Sequence, residues 1–160
     1  MAATLTSTDA IQFVLDEGRL LNEARYTEWL SLFAPDGMYW VPLEGDRQAD
    51  PQSSTSLAYE DRLLLQTRVQ RLQGPRAHSL EPGVRSLHVL QTPRIEVASD
   101  TQIALFTPFL YTEICGDRQT VMAGTWRHRL RPSAAGLHIV LKRVDLLQAG
   151  SALEAIQLFP

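Results

Sequence analysis

Apolar residues recur every three to four positions in the first part of the chain, between residues 8 and 34. The stripe consists of Ile11, Val14, Leu15, Gly18, Tyr26, Trp29, Leu30 and Phe33. This spacing is typical of helices with one buried face. Asn22 interrupts the stripe, so the pattern predicts two helices with a break around residues 22–25. Ser7 and Thr8 are the candidate N-caps of the first helix.

The next segments change character at their proline and glycine residues. Pro35, Asp36 and Gly37 are expected to end the second helix and turn the chain into a short aromatic strand, MYWVPL. Residues 44–56 are polar and aperiodic, which predicts the longest loop. From Leu57 to Leu72 the helical period returns, with leucines on one face and arginines on the other.

From Ser86 onward the apolar residues alternate with a period of two. The alternating segments are SLHVLQTPRIEVAS, QIALFTPFLYTEI, QTVMAGTWRHRL and LHIVLKRVDLL, and ALEAIQLF is expected to add a last strand. Short turn clusters between them favour antiparallel pairing, and Pro93 and Pro108 indicate a bulge, a bend or an edge position. Helices followed by a long sheet predict one α+β domain over residues 1–160, with the helices covering one face of a curved sheet.

Composition excludes several classes of function. The chain has 160 residues, of which 44% are hydrophobic and 21% charged, as in a folded globular domain. The formal net charge of -3 provides no basic field for nucleic acid. Apolar runs fall well short of the roughly 20 residues that a membrane helix needs, and the first residues lack a signal-peptide pattern. These features predict a soluble, cytoplasmic protein that binds neither nucleic acid nor a membrane.

Candidate metal ligands are few. Cys115 is the only cysteine, so the chain alone builds neither a disulfide nor a multi-thiolate zinc or iron–sulfur site. The histidines do not occur at the helical spacing of paired ligands. His128 and His138 flank a predicted turn and would form half a metal site if they met across the hairpin. The competing interpretation is that both are hydrogen-bonded structural residues, and we expect no metal or cofactor in this chain.

A catalytic pocket is a second hypothesis. Asp36, Tyr39, Asp61 and His88 would supply an acid, a base and an oxyanion donor if they converged inside an α+β cone. Such a set would suit a free-standing isomerase or dehydratase. In the alternative interpretation, Asp36 shapes a turn, Tyr39 packs, Asp61 pairs with an arginine and His88 makes a core hydrogen bond.

The polar face of the third predicted helix is rich in arginine. Arg62, Arg68 and Arg71 lie on it, and such a face is solvated by default. The alternative is a subunit contact, in which Glu60 and Asp61 pair with arginines across a trimer interface.

Three segments carry linked motifs, EGRLLNEARYTEWLSLFAPDGMYWVPL, ADPQSSTSLAYEDRLLLQTRVQRL and VRSLHVL. The first contains W-L-x-L-F-x-x-D-x-x-Y-W-V-P, the second D-R-x-x-L-x-x-R-V-x-R-L, and the third R-x-x-H at Arg85 and His88. LHIVLKRVDLL adds a further match. Together they resemble the small, or beta, subunit of bacterial aromatic-ring-hydroxylating dioxygenases. The chain departs from the family pattern at Gln91 and at Ala77 and His78.

The resemblance implies a cone fold like that of nuclear transport factors and a noncatalytic role in a multicomponent, NAD(P)H-dependent dioxygenase. It implies that a partner alpha subunit holds the Rieske [2Fe-2S] cluster and the mononuclear iron, and that this chain associates as a trimer within an α3β3 assembly. The short chain and its DPQSSTS loop favour relatives that act on aromatic acids. Its candidate subunit contacts are Arg62, Arg68, Arg71, Arg85 and His88.

Overall fold

The computed structural model of the chain describes residues 5–74, 83–151 and 156–160. Two helices open the chain and the long strands close it, as the periodicities predict. In chain order the elements are α1 (Ser7–Asn22), α2 (Tyr26–Ser31), β1 (Phe33–Pro42), a 3-10 turn (Gly45–Arg47), β2 (Ser56–Asp61), α3 (Arg62–Gln73), β3 (Arg85–Leu90), β4 (Arg94–Ala98), β5 (Ile103–Cys115), β6 (Arg118–Ser133) and β7 (Gly136–Leu146).

The predicted pair of N-terminal helices is confirmed, with its break between α1 and α2. The predicted cap is wrong by one residue, because Thr6 rather than Ser7 or Thr8 caps α1. The Thr6 hydroxyl accepts the Asp9 backbone N–H at 3.2 Å, and the Asp9 carboxylate accepts the Thr6 N–H at 2.7 Å. This reciprocal capping box satisfies two backbone donors that the start of a helix leaves unpaired.

The predicted turn at Pro35–Gly37 lies inside a strand instead. β1 begins at Phe33 and runs parallel to β7, and its register shifts between Phe33 and Met38. Gly37 permits this irregularity because a Cβ at that position would lie 2.6 Å from the backbone oxygen of Ile139. The proline and glycine therefore mark a bulge rather than a chain reversal.

The helix predicted from Leu57 begins later, at Arg62. The preceding residues form β2, which pairs antiparallel with β1 and alternates between half-buried and exposed side chains. Leucine and tyrosine occupy its exposed positions, while Ser56, Ala58 and Glu60 are half-buried, so the apolar residues do not mark the covered face of the strand. Asp61 then caps α3 by accepting the Leu64 N–H at 2.9 Å.

Among the described residues, seven strands form one sheet in the order β2-β1-β7-β6-β5-β3, with β4 also paired to β5. Of the strand pairings in the described ranges, β1–β7 alone is parallel, so the sheet is mixed. α1 packs against β3 and β4, and α3 packs against β1 and β2. The predicted α+β architecture, with helices on one face of the sheet, is confirmed. No helix in the described ranges is long and apolar enough to span a membrane.

The predicted strand over residues 86–99 is divided in two. β3 and β4 both pair with β5, and Pro93 lies in the gap between them. Pro108 of β5 faces the same gap, where its carbonyl accepts the Gln91 N–H at 3.0 Å. A proline has no N–H to donate, so β5 offers a carbonyl but no donor where the ladder is interrupted.

The last predicted strand is wrong in its described part. Residues 152–155 of this predicted strand lie outside the described residues. Ala77 and His78, where the chain departs from the family pattern, lie outside them as well. Ile156–Pro160 forms no strand, and its last three residues are buried, with Phe159 only 1% exposed.

Candidate functional site

The four residues of the predicted catalytic pocket lie in unrelated surroundings. Asp36 is exposed and forms a bidentate pair with Arg131 at 2.9 and 2.8 Å, which lowers the pKa of the Asp36 carboxyl. Asp61 caps α3 rather than pairing with an arginine. Tyr39 and His88 are buried. The two carboxylates make surface contacts and the two rings make core contacts, so these residues do not assemble the predicted acid–base set.

His88 has the structural role of the alternative interpretation. The backbone N–H and carbonyl of His88 pair with the Asn22 side chain at 2.7 and 3.1 Å, which ties the end of α1 to β3. Its ring packs against Tyr111 and Trp126. Burial, followed by the charge of Lys142, lowers the pKa of His88 to about 3, so the imidazole is neutral at pH 7.

The proposed half metal site of His128 and His138 does not form. His128 is buried, and its Nε2 lies 2.6 Å from Glu17 Oε2. His138 is partly exposed and lies 3.4 Å from the Ser133 hydroxyl. Within the described residues, no group of three or more His, Cys, Asp or Glu side chains is arranged to hold a metal ion.

The interior instead contains a buried charged cluster, which sequence reasoning missed. Glu17 of α1 lies between the sheet residues His128 and Lys142, and the side chains of all three are 0% exposed. Glu17 Oε1 accepts a hydrogen bond from Lys142 Nζ at 2.6 Å and another from Trp29 Nε1 at 2.9 Å. Lys142 Nζ also lies 3.4 Å from the centroid of the Trp126 ring.

The partners of Glu17 determine the charge of this cluster. Burial opposes ionisation of Glu17, but Lys142 and His128 outweigh it and lower the pKa of the carboxyl below its usual range. The Glu17–Lys142 ion pair places two opposite charges in direct contact within the interior. The sequence signal was present: Glu17 falls on the buried stripe of α1, and Lys142, the only lysine, occupies an inward position of β7.

The segment Ile156–Pro160 packs into the core beside α2 and β1. The Phe159 ring centroid lies 4.5 Å from that of Trp29, 5.7 Å from that of Tyr26 and 5.8 Å from that of Tyr39. The Arg68 guanidinium carbon covers the ring at 4.3 Å.

Arg68 makes contacts within its own chain, and the pairing of Glu60 with an arginine across a subunit interface stays a prediction. The Arg68 guanidinium lies 3.2 Å from the Glu60 carboxylate and donates to the Leu158 carbonyl at 2.8 Å. Arg68 therefore joins β2, α3 and the segment Ile156–Pro160.

The other predicted contact residues differ in exposure. Arg71 and Arg85 are exposed, Arg62 is half-buried, and the His88 ring is enclosed by the core of its own chain. A partner subunit can reach the three arginines from solvent. The His88 ring is buried, so a partner can contact the residues around it but not the ring itself.

The outer face of the sheet carries apolar residues that sequence reasoning did not single out. Val89, Leu110 and Ala123 are consecutive cross-strand neighbours on β3, β5 and β6. The Leu147 N–H pairs with the Ala123 carbonyl at 2.9 Å and continues the row beyond β7. Val89, Leu110 and Leu147 are more than half exposed. A contiguous exposed apolar row of this kind is typical of contact surfaces.

Comparison with known proteins places this architecture in a family. The family model described as "Ring hydroxylating beta subunit" matches residues 16–150. The chain belongs to this family. It is 30% identical over 142 residues to the 2-halobenzoate 1,2-dioxygenase small subunit of Burkholderia cepacia, and the match covers 86% of each chain. The predicted resemblance is confirmed.

Solved structures agree on the fold of this beta-subunit family member. The beta subunit of benzoate 1,2-dioxygenase from Burkholderia mallei superposes with a TM-score of 0.76 at 24% identity, covering 97% of this chain and 98% of that one. An NTF2-like protein with a cystatin-like fold from Novosphingobium aromaticivorans superposes with a TM-score of 0.63 at 16% identity, covering 91% and 83%. These likenesses confirm the predicted cone fold.

Proposed function

We propose that this chain is the noncatalytic, structural subunit of an aromatic-ring-hydroxylating dioxygenase and that it supports assembly of a catalytic alpha subunit. The observation that carries the proposal is the family match over residues 16–150, together with the likeness to a dioxygenase small subunit along 86% of the chain. The geometry supports it, because the residues of the hypothetical acid–base set are separated between surface and core.

We place the redox groups in the partner. A Rieske cluster requires two cysteines and two histidines, and this chain has one cysteine. The alpha subunit would hold the cluster and the mononuclear iron, and a reductase would supply electrons from NAD(P)H. This chain would contribute contact surface to a cytoplasmic α3β3 assembly in which it also contacts its own copies.

We propose an aromatic acid as the substrate of the complete enzyme. The support is the likeness to a subunit whose name specifies a halogenated benzoate. The specificity itself would reside in the alpha subunit, since this chain carries no catalytic centre in the proposal.

Co-expression with a Rieske-motif subunit encoded beside this gene tests the proposal. We expect the two chains to co-purify as one species, whose mass by light scattering is that of an α3β3 complex. Its iron content should match the number of alpha subunits, with none attributable to this chain. Omission of this chain should abolish assembly, and benzoate turnover with it. Turnover of a small hydroxy acid or ketone by the isolated chain, without the partner, would instead establish the isomerase or dehydratase alternative.

A further inference from the structure

A row of arginines and aromatic rings crosses the outer face of the sheet. In cross-strand order from β4 to β2 it consists of Arg94, Phe106, Arg127, Arg143, Trp40 and Tyr59. The guanidinium carbons of Arg94 and Arg127 lie 4.8 and 4.9 Å from the centroid of the Phe106 ring. That of Arg143 lies 4.3 Å from the centroid of the Trp40 ring. Tryptophan, tyrosine and arginine are enriched among the residues that carry most of the binding energy in protein interfaces, so this face has the composition of a protein contact surface.

A cleft of about 420 Å³ opens beside this row, and an acidic segment borders it. The cleft is lined by outward residues of the sheet and by residues of the 3-10 turn, among them Phe106, Arg127, Asp145, Leu147, Glu44 and Asp46. The buried Asp145 carboxylate is already satisfied, because Arg127 and Arg143 donate to it at 3.3 and 2.7 Å. The segment 44–50, which we call the acidic loop, contains Glu44, Asp46 and Asp50 against one cation, Arg47. The Asp46 carboxylate is exposed and has no hydrogen-bond or ion-pair partner in the described ranges.

The complementary charge lies on the same face of the sheet. β6 directs Arg127, Arg129 and Arg131 outward at alternate positions. Arg127 faces Asp145 and Glu96 at 3.3 and 3.7 Å, and Arg131 pairs with Asp36 at 2.8 Å. Arg129, between them, is exposed and makes no ion pair with any residue that the structure describes. One face of the chain therefore offers both a net negative loop and an unpaired cation.

This arrangement suits a second copy of the same chain. Because the acidic loop and Arg129 occupy different places on one face, each copy can present one of them to a neighbour and receive the other. Contacts of this heterologous kind generate a ring when the rotation between copies closes. Leu110 and Leu147 are 53% and 79% exposed on the same face and supply apolar area that such a contact would bury.

We propose that the outer face of the sheet is the contact surface between copies of this chain, with Arg129 of one copy paired to Asp46 in the acidic loop of the next. The arginine–aromatic row lies between the two charges and forms the centre of the contact. The inference rests on the proposed function, in which copies of the chain contact one another, and it identifies the surface and the ion pair that join them. Opposite charges placed in this way also fix the register of the two copies.

Sedimentation velocity of the full-length chain over a range of concentrations tests the proposal. Arg129→Glu and Asp46→Arg should each weaken self-association at least about tenfold, because each places like charges opposite one another. The double variant Arg129→Glu/Asp46→Arg restores an opposite pair with its signs exchanged, and its dissociation constant should return to within about threefold of the wild-type value. Arg118→Glu is the matched control, because it makes the same charge reversal at the exposed far end of β6 and should leave self-association unchanged.

Far-UV spectra and melting temperatures establish that each variant is folded. Arg129→Gln replaces Arg129→Glu if the reversal lowers the melting temperature, and it should still weaken self-association. A wild-type chain that stays monomeric, reversals that leave self-association unchanged, or a double variant as weak as the single ones would each overturn the proposal.

Co-purification with the Rieske-motif partner is measured separately, so that the two failures are distinguishable. If the wild type binds the partner but the reversals do not weaken contact between copies, the outer-face contact is overturned and the proposed function stands. If the wild type does not bind the partner while the charge exchange restores self-association, the proposed function fails and the contact between copies is supported.

Discussion

Glu17 Oε1 lies 2.6 Å from Lys142 Nζ, and neither side chain has any exposure to solvent. The contact joins α1 to β7, two elements that are far apart in sequence. A buried ion pair contributes little net stability, because the cost of desolvating both charges offsets their attraction. Loss of one partner alone is nevertheless strongly destabilising. Removing one charge leaves the second uncompensated in the core.

Substitution of Glu17 by glutamine should therefore destabilise the chain strongly. Glu17→Gln keeps the shape of the side chain but leaves the Lys142 ammonium unpaired, which costs about 3–5 kcal/mol of unfolding free energy. Combining Glu17→Gln with Lys142→Met removes both charges and should recover part of this loss. Urea unfolding at pH 7 measures all three chains.

The exposed pair between Glu28 and Arg25 is the control for this experiment. Glu28→Gln should leave the urea midpoint unchanged, because surface pairs contribute little. If Glu17→Gln has a wild-type midpoint, or if the double variant is less stable than the single one, Lys142 is not held as a buried cation.

His88 should make stability depend on pH in the mildly acidic range. Its pKa is lowered from 6.5 to about 3, so between these values the unfolded chain binds a proton that the folded chain does not. Stability is then complete above pH 6.5 and decreases as the pH falls, by up to about 1.4 kcal/mol per pH unit for one such group. His88→Phe should flatten the dependence of the unfolding free energy on pH between 6.5 and 4.

Denaturation curves at several pH values distinguish this effect from a general loss of stability, since the slope and not the absolute value is compared. The partly exposed His138 provides the matched substitution, and the slope of His88→Phe is compared with that of His138→Phe as well as with that of the wild type. An unchanged slope in His88→Phe would assign the acid sensitivity to other groups.

Periodicity predicted the elements whose burial follows one regular pattern. The stripe containing Val14 and Trp29 predicted α1 and α2, and the period-two segments after Ser86 predicted the long antiparallel strands. Errors occurred where a local signal had two physical meanings. Pro35–Gly37 is a bulge in β1 because β7 approaches its backbone closely, and β2 was included in the following helix because Leu57 and Tyr59 are apolar but exposed.

The site was less predictable than the fold because it depends on contacts between distant segments. Glu17 and Lys142 are both charged, and only the folded topology shows that they face each other. Helical periodicity assigned Arg68 to the surface. In the folded chain the segment Ile156–Pro160 packs against α3, and the Arg68 guanidinium lies over the Phe159 ring. Single-sequence patterns report which face of an element is buried, but not which element covers it.

Gly124 should be intolerant of a side chain. It lies on β6, and a Cβ there would be 2.2 Å from the Asp145 backbone oxygen of β7. The two strands would have to separate, so Gly124→Ala should lower the unfolding free energy by about 1–3 kcal/mol or more.

Gly18 of α1 is the contrasting position, because there the nearest atom is the flexible Leu90 Cδ1 at 2.7 Å. Gly18→Ala also gains helix propensity of about 1 kcal/mol, so it should cost much less than Gly124→Ala. Thermal melts of both variants show which substitution lowers the melting temperature more. Equal decreases would contradict a clash of the Gly124 Cβ with the β7 backbone.

Arg68 and Arg71 of α3 should have different roles although both lie on its polar side. Arg68 is partly buried against Glu60, Leu158 and Phe159, so Arg68→Ala should reduce the stability of the isolated chain by about 1–3 kcal/mol. Arg71 is exposed, and Arg71→Glu should leave the melting temperature near that of the wild type.

If Arg71 contacts the alpha subunit or a second copy, its charge reversal should reduce the yield of co-purified complex while the far-UV spectrum stays native. Melting and pull-down of both variants separate these effects. A wild-type yield of complex from Arg71→Glu would move the interface to another surface, with the Val89–Leu110–Ala123 row as the next one to substitute.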